Sequence, residues 1–251
     1  MSAGAPAHPQ LLTPEWPAPP RVRAAFTLRG GGVSRPPFDS LNVGAHVGDE
    51  PAAVAENRRR VRAALALPAE PAWLEQVHGV RVADLDAAGG AAAPADAVLT
   101  RSTGRVCAVQ VADCLPVLLA ARGGSAVAVA HAGWRGLAAG VLEATVAALG
   151  AAAGELVAWL GPAISQRHFE VGEEVRAAFL SSDPDAGGAF IANARGRWQC
   201  DLAALARRRL GALGVTAVSG GTWCTYADPA RFFSFRRDGR CGRMAALIWL
   251  A

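Results

Sequence analysis

Three apolar runs follow one another in the middle of the chain, at Val106–Val111, Leu115–Ala121 and 126–130. They are apolar at nearly every position rather than at alternate ones, which predicts strands buried on both faces. A similar run at Leu156–Leu160 predicts another buried strand. Shorter stretches at 73–77, 96–100, 215–219 and 232–235, and a last run at Met244–Leu250, predict the rest. Helices are predicted from Asp49 as cap to about 67, stopping before Pro68, and from 135 to 149, ended by Gly150. Two more are predicted at Glu173–Leu180 and at 202–213, the latter capped by Asp201 and closed by Gly214. Residues 21–48 carry Gly30-Gly31-Gly32, Pro36-Pro37 and Leu41-Asn42-Val43-Gly44, loop punctuation around short strands. Strands dominate the middle and helices intersperse without strict βαβ alternation. The expected class is α+β, with sheet layers covered by helices. No repeat, heptad or long linker divides the chain, so one domain is expected over 21–251, after a loose N-terminal arm at 1–20.

Composition narrows the function classes. With 251 residues, 52% hydrophobic and 18% charged, the bulk of the chain is expected to fold around a sizeable core. All 25 basic residues are arginine, in a chain rich in alanine, which reads as genome composition rather than function. A net charge of +4 suits an anionic small molecule, but the arginines are scattered, so no nucleic-acid partner is expected. Asp113 and Pro116, or His131, Trp134 and Arg135, break the longest apolar stretches below the roughly 18–20 residues of a membrane span. The first 20 residues lack the pattern of a signal peptide. Five cysteines, an odd number without a C-x-x-C pair, do not suggest a disulfide framework. A cytoplasmic, monomeric protein without a membrane partner is expected.

The candidate chemistry lies in histidine and cysteine. His78 follows a predicted strand, Cys114 sits at the break between two buried runs, and His131 ends the third run. Strand ends are where side chains from several strands converge. Two imidazoles and a thiolate make a three-ligand set for Zn²⁺ with a fourth position open, as a catalytic zinc requires. Spacings of this length carry no motif specificity, and a cysteine between apolar runs also serves as a small core residue. Gly133 and Gly136 bracket Trp134-Arg135 at a strand-to-helix turn. The free N–H groups of a helix start together with Arg135 favour an anion such as phosphate, against the plainer reading of an ordinary turn with an exposed arginine. In 232–239, alternation sends Phe233 and Phe235 to one face and Ser234 and Arg236 to the other, with Asp238-Gly239 as a hairpin turn. The plain reading is a hairpin with a buried aromatic face. The functional one lets Arg236 meet an anion and a phenylalanine stack on a base. Arg58-Arg59-Arg60 reads as a solvated helix face.

These segments match a known pattern. Arg29-Gly30-Gly31-Gly32-Val33-Ser34, Ser40-Leu41-Asn42-Val43-Gly44, Gln76-Val77-His78-Gly79, Ala112-Asp113-Cys114-Leu115-Pro116 and His131-Ala132-Gly133-Trp134-Arg135-Gly136 are the core of the match. Gly161-Pro162, Phe169-Glu170-Val171-Gly172 and residues 232–243 extend it. The chain resembles the YfiH-like family, also called peptidoglycan editing factor or multicopper polyphenol oxidase laccase-domain proteins, over nearly everything after residue 25. Phe38, His168 and Phe235 stand where the family pattern has tyrosine, and Cys241 where it has threonine; none is a proposed ligand. The resemblance implies zinc held by His78, Cys114 and His131. It also implies a layered α/β/β/α fold with mixed sheets, related to cytotoxic necrotizing factor deamidases. The implied activity is purine nucleoside phosphorolysis of adenosine, inosine and methylthioadenosine to free base and ribose 1-phosphate, with adenosine deamination as a second reaction. Asn42 and Gln76, from the matching segments, join Arg135 and Arg236 as expected substrate contacts. The implied partners are purine nucleosides and phosphate.

Other chemistries fit parts of the same pattern. Five histidines, one of them His8 in the arm, are too few for a four-copper laccase. A single copper would accept a His-Cys-His set, but Met1 and Met244 are far from it in sequence and no axial thioether is evident, so zinc is preferred. Cys114 as nucleophile with His131 as base would make a hydrolase or amidase, suited to editing peptidoglycan precursors, and would not need His78. A binding module for nucleotides or nucleic acid rests only on net charge and Arg236-Arg237, and predicts salt-sensitive binding.

Overall fold

A computed structural model describes residues 8–87 and 94–251. Its strands, in chain order, are β1 (Leu11–Leu12), β2 (Val22–Thr27), β3 (Ala72–Trp73), β4 (Val82–Asp84), β5 (Ala97–Thr100), β6 (Val106–Val111), β7 (Leu115–Ala121), β8 (Val127–Ala132), β9 (Leu156–Leu160), β10 (Glu170–Val171), β11 (Phe190–Ala192), β12 (Trp198–Cys200), β13 (Ala217–Gly220) and β14 (Met244–Leu250). The helices are α1 (Pro51–Ala64), α2 (Trp134–Ala139), α3 (Val141–Leu149), α4 (Glu173–Leu180), α5 (Leu202–Ala212) and α6 (Phe235–Asp238).

Two mixed sheets pack face to face. One runs β13-β9-β7-β8-β5-β4 and the other β1-β2-β14-β6-β3, with a small β10-β12-β11 sheet beside them. Leu118, Val129 and Val157 from the first sheet meet Phe26, Val109 and Ile248 from the second in the central core. The opposite face of the first sheet, with Leu115, Val117 and Leu119, packs on Leu137, Leu142, Phe179 and Leu205 of the helices α2 to α5. The opposite face of the second, with Val106, Ala108 and Leu247, packs on Val61 of α1 and on Leu41 and Val43. The order of layers is therefore α/β/β/α, as expected. Uniform hydrophobicity in β6, β7 and β8 follows directly, because both faces of each sheet are covered.

Several local expectations are corrected. Residues 8–20 of the expected loose arm are tied down: β1 pairs antiparallel with β2 (Leu11 opposite Thr27), and Trp16 packs against the central core. Residues 1–7 lie outside the described ones. The helix predicted at 135–149 is two helices, because Gly140 adopts a left-handed φ of 102° and breaks the ladder between α2 and α3. Glu50, not Asp49, occupies the cap position of α1; the Asp49 carboxylate instead accepts from Ser34 Oγ (2.6 Å) and Asn42 Nδ2 (2.9 Å). The strand and hairpin predicted at 232–239 are replaced by the single turn α6, whose start Ser234 caps by accepting from the Arg237 amide at 3.2 Å. Phe232 and Phe233 are buried, whereas Phe235 is 57% exposed. Asp201 does cap α5, accepting from the Ala204 amide at 2.9 Å. Among the described residues no helix is long and apolar enough to cross a membrane.

Candidate metal centre

The strand predicted over 73–77 ends at Trp73, yet its continuation stays fixed to the sheet. Gln76 extends its amide across to β6, donating from Nε2 to the Gln110 carbonyl (2.9 Å) and accepting from the Gln110 amide (2.7 Å). This side chain takes the place of a backbone pair and delivers His78. His78 has a left-handed φ of 61°, a strained choice for a residue with a Cβ. The strain is offset by Asp96, whose carboxylate accepts from three consecutive amides: Val77 (3.1 Å), His78 (2.9 Å) and Gly79 (2.7 Å).

Asp96 also positions the second histidine. Its fully buried carboxylate lies 2.8 Å from His131 Nδ1. An ionised carboxylate only accepts, so Nδ1 carries a proton toward Asp96 and Nε2 is the nitrogen that can give up its proton to take a metal. Cys114 reaches the same point through strand register, since β7 pairs antiparallel with β8 and places Leu115 opposite Ala132. The residue before it, Asp113, is held at a φ of 94°. Its carboxylate accepts from the Thr225 hydroxyl (2.6 Å) and the Arg236 amide (2.7 Å), and its carbonyl from the Ile164 amide (3.0 Å).

Cys114 Sγ lies 3.8 Å from His78 Nε2, and one ligand atom from each of His78, Cys114 and His131 lies within 4.8 Å of the others. Bond lengths of about 2.0–2.1 Å to nitrogen and 2.3 Å to sulfur put N and S roughly 3.6 Å apart around a tetrahedral ion. The donor set therefore fits a zinc-sized ion with small closure. Among the described residues it is the one group of three or more His, Cys, Asp or Glu with that property. Gly133 makes the approach possible: a Cβ there would stand 2.8 Å from His78 Cδ2 and 3.0 Å from Cys114 Sγ. A Cβ at Gly136 would stand 2.8 Å from the Gly79 carbonyl. The glycine pair that reads in the sequence as an anion turn thus also lets helix α2 and the His78 loop close around the ligands.

Charge in the metal-free cluster favours a thiolate beside an imidazolium. Burial pushes the Cys114 thiol up, but the His131 imidazolium and hydrogen bonds from both histidines outweigh it and bring the thiol down to about 6. Burial pushes His131 down, but the Cys114 thiolate and the Asp96 carboxylate raise it to about 9. For Asp96, burial opposes ionisation, while His131 and the Gly79 and Val77 amides prevail and hold the carboxyl below its ordinary value. In metal-free protein Cys114 is thus a thiolate above about pH 6. We expect its alkylation by iodoacetamide, followed by peptide mapping, to stay fast down to that pH and to be blocked by added Zn²⁺. A rate that halves near the ordinary thiol value instead would contradict this.

A cavity of about 170 Å³ opens beside Cys114, walled by Trp134, Ile164, Phe169 and Phe235, with Arg236 also in its lining. The Arg236 guanidinium sits 5.1 Å from the Phe169 ring centroid, and Nη1 donates to the Glu170 carbonyl at 2.7 Å. Arg135 is exposed, 4.5 Å over the Trp134 ring. The other two expected contacts are engaged within the protein. The Gln76 amide pairs with β6, and buried Asn42 donates to Gly44 and Asp49 while accepting from the Gly44 and Arg243 amides. Neither Asp96 nor Asp113 belongs to a recognisable ligand or catalytic motif in the sequence. The signal available for each was an acid standing at the entrance of a wholly apolar run.

Comparison with known proteins agrees with this architecture. Residues 23–251 match the family described as multi-copper polyphenol oxidoreductase laccase. A Pseudomonas aeruginosa relative named purine nucleoside phosphorylase PA4543 is 57% identical over 240 residues, covering 95% of this chain and 98% of its own. The Escherichia coli protein named purine nucleoside phosphorylase YfiH is 52% identical over 241 residues, covering 96% and 99%. Among solved structures, Neisseria meningitidis NMB0706 superposes with a TM-score of 0.92 at 50% identity, over 96% of this chain and 98% of that one. YlmD from Geobacillus stearothermophilus gives 0.85 at 32% identity, over 92% of each. With the family match, near full-length relatives and a shared fold in agreement, this chain belongs to the YfiH-like laccase-domain family.

Proposed function

We propose that this chain is a zinc-dependent purine nucleoside phosphorylase. It cleaves adenosine, inosine and methylthioadenosine with phosphate to free base and ribose 1-phosphate, and deaminates adenosine as a second reaction. The observation that carries this reading is an aromatic-walled cavity, with Arg236 in its lining, that reaches the His78–Cys114–His131 cluster at Cys114. The names of the relatives support it.

In phosphorolysis a phosphate oxygen bonds to C1′ while the C1′–N9 bond breaks, and its electron pair leaves on the purine, which takes up a proton. Trp134, Phe169 and Phe235 offer flat faces for the base, and Arg236 supplies the cation that holds phosphate against C1′. Trp134 at the start of α2 lines the same cavity, and Arg135 follows it on that helix. Bound at the cluster, the ion supplies a Lewis acid that can polarise a substrate oxygen or activate water. Asn42 and Gln76 act by holding the loops that carry this machinery, rather than by touching substrate.

The test is product analysis of adenosine and inosine with and without phosphate. Ribose 1-phosphate and free base are expected only with phosphate, and base release independent of phosphate would contradict the reading. Arg236→Ala is expected to raise the KM for phosphate about tenfold with a smaller change in kcat. An unchanged phosphate dependence would remove Arg236 from that role.

A second reading has one observation in its favour: Asp96, His131 and Cys114 stand in the order of orienting acid, base and nucleophile. That arrangement would serve a thiol hydrolase or amidase acting on peptidoglycan precursors. His78→Ala separates the two. Metal and nucleoside cleavage are expected to be lost together, whereas a thiol hydrolase keeps its activity without His78.

A further inference from the structure

A second thiol–imidazole pair lies outside the metal cluster. Cys224 forms an isolated parallel bridge with Ala163, in a loop between β13 and α6. Its sulfur accepts from the Ser165 hydroxyl (3.0 Å) and the Ser165 amide (3.4 Å), and lies 3.5 Å from His168 Nδ1. The same serine hydroxyl is 3.3 Å from His168 Nδ1. The Tyr226 ring, stacked on the imidazole with centroids 4.6 Å apart, fixes its orientation. Cys224 and His168 are both partly open to solvent, whereas Cys107, Cys200 and Cys241 are buried. Neither residue has a part in the chemistry proposed above.

We propose that Cys224 is a modification site, a thiol that reacts with hydroperoxides with His168 as its base. His168 Nδ1 is within reach of the thiol proton, and the two Ser165 donors face the negative charge left on sulfur. In the reaction with hydrogen peroxide, sulfur attacks one peroxide oxygen, an S–O bond forms and the O–O bond breaks. The thiol loses two electrons to the peroxide. The proton passes through His168 to the departing oxygen, which leaves as water, and Cys224 becomes a sulfenic acid. The added oxygen stands in the loop that carries Thr225, whose hydroxyl holds Asp113 beside Cys114.

The test exposes the zinc-loaded protein to hydrogen peroxide and dimedone and follows labelling of each cysteine by peptide mapping. Cys224 is expected to label at least about tenfold faster than Cys107, Cys200 and Cys241. His168→Phe is expected to slow Cys224 about tenfold, and Ser165→Ala several-fold. Low labelling of the three buried cysteines in each variant reports that the fold is intact. Labelling of Cys224 no faster than the buried cysteines, or at an unchanged rate in His168→Phe with the buried cysteines still protected, would overturn the proposal. The readout is chemical modification, so it stands or falls independently of nucleoside cleavage.

Discussion

Cys114→Ala is expected to abolish metal binding and to lower nucleoside cleavage by at least about a thousandfold, with the fold retained. The thiolate is the anionic member of the ligand set, and two neutral imidazoles alone bind a divalent ion far more weakly. Removing Sγ leaves a small gap beside the cavity and strands no buried charge, because His131 then keeps only Asp96 as its partner. His131→Ala is expected to lose metal and activity as completely, but at a cost to stability. It leaves the Asp96 carboxylate buried without its imidazole, a loss of about 3–5 kcal/mol. Metal analysis and product assays on both variants, with thermal unfolding as the check on fold, decide the matter. Full activity in either would remove these residues from the site.

Asp96→Asn is expected to be nearly as damaging, although the change is isosteric. Asp96 accepts four hydrogen bonds, from the Gly79 and Val77 amides on Oδ2 and from the His78 amide and His131 Nδ1 on Oδ1. Asparagine has one acceptor oxygen. Whichever way its amide turns, an NH₂ group faces donors, so either the strained His78 backbone is released or His131 must turn its protonated nitrogen toward the metal. We expect metal affinity to fall about a hundredfold and stability by about 3 kcal/mol, read by competition with a chelator and by denaturant unfolding. Wild-type affinity in this variant would contradict the role. The effect has a pH signature. The Asp96 carboxyl is depressed in the folded state, so its contribution is present above the ordinary carboxylate range near pH 4 and is lost as pH falls through the folded value. The stability gap between wild type and variant should close on acidification.

How much of this was legible in the sequence depends on what kind of information each feature needs. β6, β7, β8, β9 and β14 were legible because burial on both faces leaves an unbroken apolar run. The three candidate ligands were legible as a group because each stands at the end of a predicted strand, and the fold brings one donor atom of each within 4.8 Å of the others. The aromatic segment at 232–235 misled, because four residues of alternation cannot be told from a buried loop that a serine turns into helix. Gly140 looks in sequence like any helical glycine, and only its left-handed φ shows the break. Asp96 was the larger loss. One carboxylate at the head of a strand reveals nothing by itself, and its role arises only when the β5–β8 pairing brings it beside His131 while the Gln76 tether brings in three amides. Asn42 and Gln76, expected at the substrate, make hydrogen bonds within the protein that no sequence motif announces.

The most direct test of the metal centre is to strip the purified protein with a chelator, measure inosine phosphorolysis, and return zinc or copper in substoichiometric steps. Activity that vanishes on stripping and returns in proportion to bound zinc, saturating at about one ion per chain, is the predicted result. Undiminished phosphorolysis by the metal-free protein would contradict the account.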